Sequence, residues 1–272
     1  MKMNEILCRE ARQTLVVMLL MLLAAGCVRN PSFKVMNCSR EQSVEASAEL
    51  PVSFSASVSL DYPMVLGDTT HVATAFRHAI VESAFGWDYD TLDVETASRV
   101  YVESLVEDFR DLSADMKSAG MYGDGTDSEV AEWFDTVTGY FAGSSRRFSS
   151  YMLEYSSYSG GAHPELAAEG IVFDLHEGVR VSLDDIFKPG FDEILGSLIS
   201  LHAPECMPEG AAEALFSPSI TPTGNFVLTG RSITFIYNPY EIGPYTLGVI
   251  QISVPLRECR EAGILAEGVW KR

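Results

Sequence analysis

Two tyrosine-rich segments hold the residues best suited to bind something. The first is Tyr155-Ser156-Ser157-Tyr158-Ser159-Gly160-Gly161-Ala162-His163-Pro164, with Tyr151 one turn upstream. Paired glycines permit positive φ and close backbone approach. His163, just beyond them, is placed to hydrogen-bond a ligand or a facing loop. The second is Tyr237-Asn238-Pro239-Tyr240-Glu241-Ile242-Gly243-Pro244-Tyr245. Its prolines fix an extended loop, and its tyrosines offer rigid amphipathic surface at low entropy cost. The same rings could instead pack a sheet and cap hairpins, and the sequence leaves both readings open.

Catalytic signatures are missing. There is no G-x-S-x-G elbow, no Walker loop, no G-x-G-x-x-G and no H-E-x-x-H. His71, His78, His163, His176 and His202 are scattered. His71 and His78 share nearly one helical face but lack a third ligand. His202-Ala203-Pro204-Glu205-Cys206 lacks the Pro-Cys-x-x-Cys partner of a zinc deaminase. Asp124-Gly125-Thr126-Asp127-Ser128-Glu129 carries oxygens in the wrong order for an EF-hand and reads as an acidic turn. The expectation is therefore no catalytic residues, no metal and no cofactor. Surplus carboxylates leave an unrecognised acid/base pair as the enzymatic alternative.

Charge excludes more. Lys and Arg number 19 against 38 Asp and Glu, a formal net charge of −19. Phosphate backbones repel such a chain, so no nucleic-acid partner is expected. A cationic partner would be attracted.

The N-terminus carries an address. Lys2, Arg9 and Arg12 precede an apolar run, Leu15–Ala25. At about 1.5 Å per residue it spans ~16 Å, short of a bilayer core of about 30 Å but suited to a signal-peptide core. It ends in Leu22-Leu23-Ala24-Ala25-Gly26-Cys27, which resembles the lipobox of bacterial lipoproteins, with Ala24 where Leu is commonest. The resemblance implies acylation of Cys27 and cleavage before it, hence a membrane contact through a lipid anchor. No acidic cluster follows Cys27, which points to the periplasmic face of the outer membrane. Cys8 leaves with the signal, so Cys38, Cys206 and Cys259 remain. If a disulfide forms, Cys206–Cys259 is the preferred pair.

The length, 272 residues, suits one large domain or two intimately packed halves. The expected division is a signal peptide over 1–26, a lipidated polar tether over 27–48, a strand-helix-helix half over 49–125 and a β-rich half over 126–272. Val52, Phe54, Ala56, Val58 and Leu60 alternate with serines, which predicts a strand with one wet face. Asp68-Thr69-Thr70 offers N-cap residues for a helix reaching Gly86. A second helix over about 94–118 presents Tyr101, Leu105, Phe109, Leu112 and Met116 on one face. Two strands follow at about 133–141 and 148–158. Glu177-Gly178 marks a hairpin between 168–175 and 179–183. Phe191, Ile194, Leu195, Leu198 and Ile199 form a helical stripe that Pro204 and Pro208 end. Strands at 226–228, 232–237 and 247–254 close the chain.

Tyr158-Ser159-Gly160-Gly161-Ala162-His163, Phe173-Asp174-Leu175-His176-Glu177-Gly178, Leu183-Asp184-Asp185-Ile186-Phe187 and Phe235–Tyr245 occur in that order. As a set they resemble the extracellular domain of the lysozyme-sensing anti-sigma factor RsiV, a module also appended to the peptidoglycan deacetylase PdaC. The usual patterns there are Y-x-G-G-A-H and F-N-P-Y-E-I-A-P-Y. Here Tyr237 and Gly243 replace Phe and Ala. The resemblance spans about residues 50–258. It implies an α+β fold, an antiparallel sheet with packed helices. It also implies a binding module for a lysozyme-like protein or peptidoglycan rather than an enzyme, since the catalytic motifs of the deacetylase have no counterpart here. The candidate contact residues are Tyr158, Gly160, Gly161, His163, Tyr240, Glu241 and Tyr245. An envelope scaffold and a cell-wall hydrolase are the alternatives.

Overall fold

The computed structural model describes residues 34–47, 51–64, 70–119, 131–145 and 147–267. The signal segment, Cys27, Asp68-Thr69 and the acidic turn at 124–129 lie outside the described residues.

Two sheets form the frame. The larger has strand order β1-β2-β3-β4-β5-β6: Lys34–Val44, Val52–Met64, Ala131–Ser144, Phe148–Tyr158, Glu165–Asp174 and Val179–Arg180. All its pairings are antiparallel except β2 with β3. The smaller sheet is β7-β8-β9: Phe226–Thr229, Ser232–Tyr237 and Ile250–Pro255, antiparallel throughout. The described helices are α1 (Thr70–Phe85), α2 (Val94–Ser118), α3 (Leu183–Ile186), α4 (Asp192–Cys206) and α5 (Leu256–Glu261). This is the expected α+β class. Because β2 pairs directly with β3, the large sheet runs unbroken across the boundary near residue 125.

Alternation along the strands sorts side chains into layers. In β2, Val52, Phe54, Ala56, Val58 and Leu60 all turn inward, as their spacing predicts. With Tyr151, Leu153, Ile171 and Phe173 they form one core under α1 and α2. Phe76 of α1 stacks flat on Phe173, centroids 4.5 Å apart. The opposite face of β4 and β5 packs on the small sheet through Met152, Ala168, Val227 and Ile236. A second core joins Phe148 and Val172 to β7–β9, α4 and α5. The order is therefore helices, large sheet, small sheet, helix.

The sheets meet at backbone distance. A side chain at Gly170 would run into the Phe226 carbonyl, and one at Gly143 into the Leu228 carbonyl. Ser150 donates to Leu228 O at 3.0 Å and accepts from Leu228 N–H at 2.9 Å. The bare glycines let β7 lie across the large sheet.

Four expectations are corrected. Residues 34–44 are not tether but strand β1, paired along its length with β2. Only Cys38 is fully buried there, because an edge strand has one neighbour and needs few apolar residues. The buried face of α2 is Val94, Ala97, Ser98, Val102, Val106, Phe109 and Ser113, while Leu112 is 47% exposed. Small and β-branched side chains let α2 approach β1 and β2 closely, and this displaces the stripe of larger residues. Pro204 lies inside α4, which continues to Cys206. In the last turn it forfeits a single backbone bond, too little to stop the helix. Cys206 and Cys259 are separate thiols, as is Cys38. Cys206 is exposed, with its sulfur 3.4 Å from Ser253 N, while Cys259 is on the buried face of α5.

Candidate ligand-binding platform

The two tyrosine-rich segments are the β4–β5 and β8–β9 connections, and the packing of one sheet on the other brings them together. The anchoring begins at the open edge of β5. Strand β6 covers only Phe173 and Asp174, so the outward N–H groups of Ala168 and Gly170 need other partners. Asn238 Oδ1 accepts from Ala168 N–H at 2.7 Å. Asn225 Oδ1 accepts from Gly170 N–H at 2.7 Å, and its amide donates to Ala168 O at 2.8 Å. Two asparagines thus rivet the small sheet to the large one.

The β8–β9 loop starts with a tight turn. Glu241 N–H donates to Asn238 O at 3.1 Å, with Pro239 and Tyr240 between. Asn238 N–H donates in turn to Glu241 Oε2 at 2.9 Å. Tyr240 has φ 71°, the one non-glycine residue with positive φ among those described. Proline followed by positive φ is the type II turn pattern, whose third position normally falls to Gly or Asn. A tyrosine there costs about 1–3 kcal/mol of backbone strain. The residue is nonetheless 60% exposed.

The β4–β5 hairpin turns through Gly160 and Gly161, at φ 92° and 113°. Tyr158 donates to Gly161 O at 2.9 Å and closes the turn. His163 Nδ1 lies 2.9 Å from Pro164 O, an acceptor, so Nδ1 carries the proton. Nε2 lies 3.5 Å from Tyr240 Oη. The imidazole stacks on the Tyr245 ring, centroids 3.6 Å apart and 18° from parallel. Tyr245 donates to Pro164 O at 2.6 Å, and its ring lies 6.1 Å from that of Tyr240. His163, Tyr240 and Tyr245 form one aromatic surface on a hydrogen-bonded base.

Five of the candidate residues build this surface or its turns directly: Gly160, Gly161, His163, Tyr240 and Tyr245. Tyr158 closes the hairpin turn. Glu241 ties back the β8–β9 loop and faces a different cleft. The structural reading holds for the other tyrosines. Tyr151 is buried and donates to Asp61 O, Tyr155 donates to Ser83 O, and Tyr237 is buried and donates to Thr221 O. Burial raises all three phenols, which keeps them protonated donors. The anchoring roles of Asn225 and Asn238 escaped the sequence reading: Asn238 beside Pro239 and Asn225 after Gly224 both read as turn residues, and only the uncovered edge of β5 reveals their second task.

The other histidines stay apart. His71 and His78 are exposed on α1, His176 is exposed beside Gly178, and His202 bonds Glu258 at 2.8 Å. Among the described residues no three His, Cys, Asp or Glu side chains gather to hold a metal, and no helix is long and apolar enough to cross a membrane.

Fold and surface define an α+β domain presenting an aromatic platform between two hairpins. Residues 184–257 match a family described as "Protein of unknown function (DUF3298)". Two solved structures share the architecture. A member of the DUF3298 family (BF2082) from Bacteroides fragilis NCTC 9343 superposes with TM-score 0.74 at 21% identity, covering 87% of this chain and 94% of that one. A DUF3298 family protein (PA4972) from Pseudomonas aeruginosa PAO1 gives TM-score 0.59 at 14% identity, covering 89% and 98%. At these identities the likeness is one of fold. No curated protein matches the chain.

Proposed function

We propose that this chain is an exported lipoprotein, acylated at Cys27, whose folded domain is a non-catalytic binding module for a cell-envelope ligand. The ligand is a lysozyme-like protein or a peptidoglycan glycan. One observation carries the reading. His163, Tyr240 and Tyr245, from two of the segments that resemble the RsiV module, meet in one cluster at the surface, and Tyr240 is held there in a strained backbone conformation. Backbone strain clusters at active sites, ligand clamps and switch regions. A rigid, mainly aromatic surface loses little entropy on binding.

Strand register supports the geometry of display. Tyr158 pairs with Phe134, Phe134 with Ser55, and Ser55 with Ser43, near the end of β1. Lys34 lies at the other end of β1, about 30 Å away at ~3.3 Å per residue. Lys34 is the described residue nearest in sequence to Cys27, so an anchor there would join the large sheet at the end opposite the platform.

The test is a titration of the Cys27→Ser chain against lysozyme at low and high salt, with residual muramidase rate read in parallel. Saturable binding that survives high salt, and that weakens at least tenfold in a folded Tyr240→Ala/Tyr245→Ala double variant, is the expected result. Salt must be varied because a net charge of −19 attracts a basic protein without any specific site. Unchanged affinity in the double variant would overturn the platform. Radiolabelled fatty acid fed to cells should label the wild-type chain and not the Cys27→Ser chain; no label on the wild type, or equal label on both, would overturn the anchor.

A further inference from the structure

A second concavity lies on the other side of the β8–β9 loop. The strap Phe216–Thr223 runs beside it and is fastened at both ends. Phe216 N–H donates to Ile242 O at 2.9 Å, and Tyr237 Oη donates to Thr221 O at 2.8 Å. Ile220 N–H is also held by Ser200 Oγ of α4 at 2.8 Å. Between strap and loop is a cleft of about 360 Å³, within the ~300–1,000 Å³ span of small-molecule sites.

Its lining is chemically specific. Ser217, Ser219, Thr221 and Thr223 bring hydroxyl side chains, and Ile220 and Ile242 bring apolar surface. Phe216 stands at the rim, 62% exposed. Glu241 is the only charged residue in the lining, and no Lys or Arg contributes. Its Oε2 accepts from Asn238 N–H at 2.9 Å, which fixes the carboxylate. An exposed ring beside hydroxyl-rich walls matches the alternating apolar and polar faces of a sugar. A lone carboxylate without a cation disfavours anionic ligands and favours amines.

We infer that this cleft holds one unit of a neutral or amine-bearing glycan, stacked on Phe216 and contacted by Glu241, while Tyr240 contacts a neighbouring unit of the same strand. Glu241 and Tyr240 are consecutive, with Cα atoms about 3.8 Å apart, so the two subsites share one loop. This rests on the reading of Tyr240 and Tyr245 as a binding surface and narrows its ligand to a saccharide.

The experiment uses the full-length chain in a sugar-free detergent. It is titrated calorimetrically with the N-acetylglucosamine tetramer, the glucosamine tetramer and the anionic galacturonate tetramer. Saturable binding of the first two, and none of the third, is expected. Phe216→Ala weakens both by about tenfold. Glu241→Gln keeps an acceptor for Asn238 and abolishes the preference for glucosamine over N-acetylglucosamine. No tetramer binding, or binding indifferent to both substitutions, overturns the cleft. Lysozyme binding sensitive to Tyr240→Ala without tetramer binding overturns the glycan and spares the platform. Tetramer binding lost in Phe216→Ala but unchanged in Tyr240→Ala/Tyr245→Ala keeps the cleft and overturns the platform.

Discussion

The imidazole of His163 lies on the ring of Tyr245 at a centroid distance of 3.6 Å, and the Tyr245 hydroxyl reaches past it to the Pro164 carbonyl. The two residues come from connections in different sheets, His163 between β4 and β5 and Tyr245 between β8 and β9. Their contact clamps the β4–β5 turn to the β8–β9 loop, and it carries the aromatic surface on which the proposed function rests.

Backbone strain at Tyr240 can be measured apart from its ring. Tyr240→Ala and Tyr240→Gly both remove the ring, but only glycine adopts φ 71° without penalty. The glycine variant should be more stable than the alanine variant by about 1 kcal/mol in urea denaturation. Equal stability would mean that the turn relaxes and stores no strain.

Asp174 should support stability from above its acid transition. Burial alone would raise its carboxyl, but the Arg147 guanidinium and the N–H groups of His176 and Glu177 outweigh that and hold it low. A depressed folded-state pKa gives stability that is complete above the unfolded value, about 3.9, and lost as pH falls through the folded value. Asp174→Asn should therefore cost about 1–3 kcal/mol at pH 7. The gap to wild type should close under acid. A constant gap down to pH 2 would contradict the assignment.

Thiol reactivity should separate the cysteines. In folded Cys27→Ser chain, Cys206 is exposed and should react with a water-soluble disulfide reagent within minutes. Cys259 is buried, and burial pushes its thiol up to about 11, so it should react only on unfolding. Cys38 is likewise buried. A chain in which Cys206 and Cys259 both resist labelling until reduced would instead contain the bridge.

Gly170 is a test of how the sheets meet. An added methyl there would run into the Phe226 carbonyl and the Ile236 side chain. Gly170→Ala should cost about 1–3 kcal/mol and loosen the platform with it. A Tm equal to wild type would show that the small sheet can slide.

Local patterning determined much of this protein. Strict alternation from Val52 to Leu60 specified β2, because a pleated strand has no other way to bury one face. The helix over about 94–118 was legible from its patterning, and the structure adds its cap, Asp93, which accepts from Glu95 and Thr96 N–H. Residue types also singled out the two tyrosine-rich segments, because Gly-Gly and Asn-Pro-Tyr have few uses outside turns. What the sequence could not carry was everything that depends on a distant partner. Strand β1 looks like a linker until β2 pairs with it. Which tyrosines are buried and which are displayed depends on the face each strand turns to α1 or β7. The meeting of His163 with Tyr245, and the cleft between Phe216 and Glu241, exist only because bare glycines let one sheet lie on the other. No local periodicity encodes that contact, since it arises from packing between segments far apart in the chain.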